Sequence, residues 1–275
     1  GHSTTSISSA LGIAHARDHN NKDFNVVSII GDGAMTGGMA YEAMNNLGFH
    51  RTQQTIILND NSKSISASVG ALSKYLSKII TNPTYNKIRS DIWDISGKIP
   101  VVSETIRKFL KKSEEGIKGF LTPGILFEEL GIRYIGPIDG HDIDEMVKVF
   151  NSVKEIKTPV LLHVFTKKGI KSSKAEKDSI KYYSLSGAKK DNSVGVSYSE
   201  IVGKSLIKAN PNNNNFKCIT AAMDIGTGIK EFCEKYPDKY IDVGIAESHA
   251  VSYASGLSTE GIVPVITIYS TFMQR

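Results

Sequence analysis

The chain reads as an α/β protein of two three-layer parallel-sheet units, the second of them incomplete. Three observations carry that reading. Apolar runs of strand length alternate with segments of helical period. The run at 26–30 closes in Gly31-Asp32-Gly33, and the run at 56–58 closes in Asn59-Asp60-Asn61, with helical periodicity between them. After a polar, Lys- and Ser-rich stretch at 171–194 the alternation starts again.

In chain order, a hydroxyl-rich start (Ser3-Thr4-Thr5-Ser6) leads into a helix at 6–16. Strands follow at 26–30, 55–58, 133–135 and 160–165, and helices at 39–47, 122–130 and 143–153. Residues 72–118 interrupt the alternation with many lysines and few strand signals, and read as a helical or mobile insertion. The second unit holds helices at 198–208, 228–236 and 248–258, with strands at 217–221, 240–242 and 263–269. The domain division is 1–170, a linker at 171–195, and 196–275. Asn212–Asn215 reads as a loop tip. Both ends read as cut, since Gly1-His2-Ser3 has no initiating Met and a strand and its first turn close the chain.

The two strand ends carry the chemistry. Neighbouring parallel strands would bring Asp32 and Asn61 to one sheet edge. A carboxylate and an amide oxygen there suit a hard dication, and the glycines leave room for phosphate. The reading is a Mg2+-bound diphosphate. Gly33 and Ala34 offer backbone N–H groups at a helix start. Gly-Asp-Gly alone also suits an ordinary turn; the second Asn at this spacing favours the metal site.

The 275 residues are 40% hydrophobic, enough for one large or two modest cores. The formal charge is +5, with 27 Lys against 6 Arg and no basic–aromatic block, so nucleic acid is not expected as a partner. Positive charge suits phosphorylated substrates. Cys218 and Cys233 are too few for a zinc cluster and suit free thiols in a reducing compartment. No apolar stretch has the length of a membrane span, so no membrane partner is expected.

With these motifs on the page the chain resembles the 1-deoxy-D-xylulose-5-phosphate synthase family, in the transketolase group of thiamine diphosphate enzymes. The likeness runs over nearly the whole chain. It is most specific in Gly31-Asp32-Gly33-Ala34-Met35-Thr36-Gly37-Gly38-Met39 and Ile268-Tyr269-Ser270-Thr271-Phe272-Met273-Gln274-Arg275. The resemblance implies the thiamine diphosphate-binding fold, with 1–170 as the diphosphate-binding domain and 196–275 as the start of the pyrimidine-binding domain. It implies thiamine diphosphate and Mg2+ as cofactors, and a homodimer for the full-length enzyme. Pyruvate and glyceraldehyde 3-phosphate would be joined with loss of CO2. That is the first step of the non-mevalonate isoprenoid route and a precursor supply for thiamine and pyridoxal. The compartment would be a bacterial cytoplasm or a plastid-like organelle.

Residue by residue, the resemblance implies Mg2+ ligands at Asp32, Asn61 and the Lys63 carbonyl. Gly31, Gly33 and Ala34 would face the diphosphate. Glu247, in Gly244-Ile245-Ala246-Glu247-Ser248-His249, would hydrogen-bond the cofactor's pyrimidine nitrogen and so promote deprotonation of the thiazolium carbon. An apolar site raising its pKa would suit that role. An acidic residue opening a helix is the alternative. Phe272 would stack on the pyrimidine ring, or else belong to the core. His2 would sit near the reacting carbon, with Ser3 and Thr5 as further contacts that helix capping explains equally. Lys177 would lie near the cofactor, or be a solvated linker charge. Tyr269 and Arg275 would face substrate, Arg275 through its planar fork. His141, after Asp139-Gly140, suits a turn at least as well as catalysis.

The chain departs from the family pattern at Tyr183, where the family has His, and at Asp224-Ile225. It lacks the family's N-terminal histidines, the rest of the pyrimidine domain and a third domain. Three functions follow: the synthase; another transketolase-group enzyme, separable by its donor substrate; and a non-catalytic cofactor-binding fragment. The 275 residues alone are expected to be inactive.

Overall fold

In the computed structural model the described residues are 2–61, 70–81, 124–177, 182, 195–209 and 215–274. The insertion beyond residue 81, most of the linker, Lys63, Tyr183 and Arg275 lie outside them.

The first sheet has four parallel strands in the order β1-β2-β4-β3: β1 (Val27–Gly31), β2 (Thr55–Asp60), β3 (Arg133–Asp139) and β4 (Val160–Phe165). Register pairs Val27 with Thr55 and Gly31 with Asn59. Alternate side chains enter opposite layers. Ile56, Leu58 and Leu161 pack with α1 (Ser6–His19), α3 (Gly38–His50), α4 (Ala71–Thr81) and α5 (Ile125–Glu129). Val160, Leu162 and Val164 pack instead with Val149 and Val153 of α6 (Ile143–Val153). Strand β4 is buried on both faces, as a central parallel strand must be. The short helix α2 (Asp32–Met35) leaves directly from β1. Asp142 caps α6 by accepting the Glu145 N–H at 2.9 Å.

The second sheet has three parallel strands in the order β6-β5-β7: β5 (Phe216–Thr220), β6 (Tyr240–Asp242) and β7 (Val263–Thr267). Phe216 and Cys218 face Leu206 of α8 (Tyr198–Ala209) and Phe232 of α9 (Lys230–Lys235). Ile219 faces Ala250 and Ala254 of α10 (Glu247–Thr259) on the other side. Each unit is therefore three layers, as the sequence predicts.

Several bounds differ from expectation. Strand β3 runs on to Asp139 through Gly136-Pro137, with a register shift between Ile135 and Ile138. As an edge strand it tolerates a residue without an N–H. Helix α5 starts at Ile125 because Gly124, at φ 82°, is left-handed and cannot continue a helix backward. Within the expected linker, Ser173–Lys177 forms a short helix, α7. Thr5 does not cap α1; its hydroxyl donates to the His2 carbonyl at 3.2 Å.

Both cysteines are free and buried. Burial pushes the Cys218 thiol up to about 11, partly offset by its contact with Thr267. Burial, with the Cys218, Asp224 and Asp242 charges nearby, pushes Cys233 up to about 12. The folded thiols thus stay neutral above the ordinary value of 9.0. Their contribution to stability is present below that value and is lost as pH climbs through the raised ones. We expect native Cys218 and Cys233 to resist iodoacetamide at pH 8 and to label fully after denaturation, as mass spectrometry would show. Rapid native labelling would contradict the burial.

Candidate functional site

The register Gly31↔Asn59 brings the two motif ends together. Asp32 opens α2 and is 4% exposed, so its carboxylate lies inside the sheet edge rather than in solvent. The space a Cβ would take at Gly31 is empty within 4 Å. Gly33 and Ala34 follow in α2, where the Gly33 carbonyl accepts the Thr36 hydroxyl at 2.7 Å. Asn61 is the last described residue after β2.

The end of β2 is trussed to β4. Thr166 donates its backbone N–H to the Asp60 carbonyl at 2.8 Å and its hydroxyl to Asn59 Oδ1 at 2.8 Å. The Asp60 carboxylate meets His163 Nε2 at 3.2 Å, and His163 Nδ1 meets the Tyr134 hydroxyl at 2.7 Å. Asp60 and His163 are both buried. This internal chain holds the strand end that carries Asn61. His141 serves a turn: its N–H donates to Asp139 Oδ1 at 2.9 Å, and its Nε2 accepts the Lys167 N–H at 2.8 Å.

A cavity of about 280 Å3 opens where the two units meet. Its wall combines Ser3 of the first unit with Ala222, Met223, Ile245, Glu247, Tyr269 and Phe272 of the second. That volume is at the small end for ligand sites, about 300–1,000 Å3. Glu247 is the first residue of α10 and only 4% exposed. The Phe272 ring meets the His2 ring edge-on at 5.7 Å and the Tyr269 ring at 5.9 Å. His2 Nδ1 is buried without a hydrogen-bond partner among the described residues. Tyr269 is held by its N–H on the Met223 sulfur at 3.5 Å, and its hydroxyl lies so close over Gly226 that a Cβ there would overlap it.

The units touch through a contact that the sequence reading did not find. Thr4 is buried with φ 70° and packs on Gly37. A Cβ on Gly37 would overlap Thr4 Cγ2 and stand 3.0 Å from the Ile245 carbonyl. Helix α2, four residues and so about 6 Å long, thus spans from Asp32 toward the backbone that leads to Glu247. The diglycine Gly37-Gly38 was the available signal, since paired glycines mark close backbone approach.

Of the expected site residues, the structure gathers His2, Ser3, Glu247, Tyr269 and Phe272 around one cavity, and Gly31, Asp32, Gly33, Ala34 and Asn61 at one sheet edge. Thr5 turns its hydroxyl back toward His2. Lys177 closes α7, with its side chain outside the described residues. Among the described residues no three His, Cys, Asp or Glu side chains converge on a metal site. One carboxylate, one amide and a carbonyl would instead leave positions for diphosphate oxygens. A buried carboxylate beside open glycine space, and a cavity of aromatic edges around a buried glutamate with an unpartnered imidazole nitrogen, fit a magnesium diphosphate carrying a heteroaromatic ring. Among the described residues no helix is long and apolar enough to cross a membrane.

The family model for 1-deoxy-D-xylulose-5-phosphate synthase matches residues 1–166, and that for the transketolase pyrimidine-binding domain matches 194–275. The 1-deoxy-D-xylulose-5-phosphate synthases of Alkaliphilus oremlandii and Clostridium tetani are each 47% identical over 281 residues. Each alignment covers 100% of this chain and 45% of the relative. The enzyme of the same name from Caldanaerobacter subterraneus is 46% identical over 285 residues, again with 100% and 45% covered. The chain spans a little under half the length of these curated relatives. A solved transketolase from Campylobacter jejuni aligns over 98% of this chain and 48% of its own, at 15% identity and a TM-score of 0.36, too distant to bear on the site. The chain belongs to the 1-deoxy-D-xylulose-5-phosphate synthase family of thiamine diphosphate-dependent, transketolase-like enzymes.

Proposed function

We propose that the full-length protein makes 1-deoxy-D-xylulose 5-phosphate from pyruvate and glyceraldehyde 3-phosphate with release of CO2. The carrying observation is the buried Glu247 on a cavity shared by both units, with Gly37, five residues after Asp32, approaching the carbonyl of the cavity residue Ile245. When bound, thiamine diphosphate supplies the nucleophilic carbon and the electron sink for decarboxylation and carbon–carbon bond formation.

The protein's residues bind, orient and move protons. Asp32 and Asn61, with the Lys63 carbonyl, would hold Mg2+. Gly31 would leave room for the diphosphate, and Gly33 and Ala34 would donate N–H groups to it. Glu247, buried at the start of α10, would hydrogen-bond the pyrimidine nitrogen. Phe272 would stack on the ring. His2, assisted by Ser3 and Thr5, serves the reacting end, and Lys177 adds positive charge. Tyr269 and Arg275 receive the substrate phosphate and carbonyl oxygens. Residues 1–170 form the diphosphate-binding domain and 196–275 part of the pyrimidine-binding domain. By the family resemblance the full-length assembly is a homodimer, and the compartment is a bacterial cytoplasm or a plastid-like organelle.

Feeding the full-length protein pyruvate with glyceraldehyde 3-phosphate, against a ketose phosphate donor, tests the assignment. Product with pyruvate, and not the ketose phosphate, as two-carbon donor to glyceraldehyde 3-phosphate is expected; product only with the ketose phosphate would make it a transketolase. Gly37→Ala should press its new Cβ on Thr4 Cγ2 and on the Ile245 carbonyl and separate the two halves of the site. A shift near 1 Å should slow turnover about a hundredfold, while calorimetry still finds Mg2+-pyrophosphate bound. Wild-type turnover in that variant would show that the contact relaxes freely.

A further inference from the structure

We propose that Asp242, outside the cavity wall, is the positioning residue that sets the two turns presenting Glu247 and the Ala221-Ala222-Met223 part of the wall to the cofactor. This rests on the functional reading above. Asp242 ends β6 beside Thr220, the last residue of β5. Its Oδ1 accepts two backbone N–H groups, from Ala222 and from Gly244, each at 2.9 Å. Its Oδ2 accepts the Tyr240 hydroxyl at 3.3 Å.

The Gly244 bond by itself is a common Asp turn at a strand end. The Ala222 bond is different, because it crosses to the neighbouring strand's exit. Both residues served are left-handed, Ala222 at φ 58° and Gly244 at φ 73°. Glycine adopts that conformation freely, but alanine does so only when its surroundings hold it there. One carboxylate oxygen thus ties together two turns that would otherwise move independently. The first turn carries Ala221, Ala222 and Met223 into the cavity, and the second carries Ile245 and Glu247. Ala246 N–H closes the second turn on the Gly244 carbonyl at 2.8 Å, one residue before Glu247. Tyr240 stays a donor, since burial first and the Asp242 charge second push its hydroxyl's pKa well up.

The roles of charge and of acceptor geometry separate by substitution. Asp242→Asn keeps a carbonyl oxygen for both N–H groups, whereas Asp242→Ala removes it. In the full-length protein, hydrogen exchange at the Ala222 and Gly244 amides is read first, without cofactor. Protection in the wild type and in Asp242→Asn, and its loss in Asp242→Ala, is expected. Proton exchange at the thiazolium carbon of bound thiamine diphosphate is then read by NMR. Asp242→Ala should slow it about a hundredfold, the cost of a misplacement near 1 Å, with Asp242→Asn restoring it. Mg2+-pyrophosphate affinity should be unchanged in both variants, which a general loss of folding would not allow. Wild-type exchange in Asp242→Ala overturns the proposal, as does an Asp242→Asn variant that fails to rescue. A wild type that binds no thiamine diphosphate overturns the functional reading and the role of Asp242 toward the cofactor together. A defect confined to the variant bears on Asp242 alone.

Discussion

Glu247→Gln is expected to slow proton exchange at the thiazolium carbon by about 10^2–10^4-fold, the range a positioned acid–base group contributes. The substitution keeps the side chain's length and shape. It should therefore still fit at the start of α10, where Glu247 is only 4% exposed. What it loses is the carboxylate that shares a proton. Cofactor affinity should change far less than the exchange rate, because the diphosphate is held at the other end of the site. NMR of the bound cofactor in deuterated buffer gives the rate, and calorimetry gives the affinity. Near-normal exchange would reduce Glu247 to an acid that stabilises a helix start.

Asp32→Ala is expected to abolish Mg2+-dependent binding of thiamine diphosphate. Loss of a residue behind a metal ligand costs about 10–100-fold in affinity, and loss of the ligand itself should cost more. Asp32 is buried where β1 passes into α2, so its carboxylate is fixed in place at the strand end. The fold should survive, because Ile30, Met35, Ile56 and Leu58 keep the surrounding core. Calorimetry of the full-length variant at increasing Mg2+ is the check. Unchanged affinity would move the metal away from the Gly-Asp-Gly turn.

Much of this arrangement was legible before any coordinates. Strands β1, β2 and β4 are apolar runs bounded by turn residues; burial of both faces explains the continuous run of β4, whereas β1, at the sheet's edge, leaves Val27 and Ile29 exposed. The pairing of the strand ends that lead to Asp32 and Asn61 followed from two neighbouring strands in one parallel sheet. Other features were hidden for physical reasons. Gly136-Pro137 reads as a break, yet β3 passes through it because an edge strand needs fewer ladder bonds. Helix α2 is too short to show a period. Asp242 looks like any strand-end Asp, and only the fold brings the Ala222 N–H to it. The diglycine at Gly37 marks a close approach, but that the distant Ile245 is what approaches is encoded by no local pattern. The glutamate, the aromatic and the histidine of the cavity were singled out through family resemblance. Singly, a helix-start Glu, a Phe and a terminal His carry no such signal.

In the proposed function one cofactor bridges the two units, its diphosphate at Asp32 and Asn61 and its ring beside Glu247. The most direct test is an experimental structure of the full-length protein with Mg2+ and thiamine diphosphate. Mg2+ is expected at about 2.0–2.1 Å from oxygens of Asp32 and Asn61, with the pyrimidine ring in the cavity between Phe272 and Glu247. A metal held by other residues, or a ring bound away from Glu247, would contradict it.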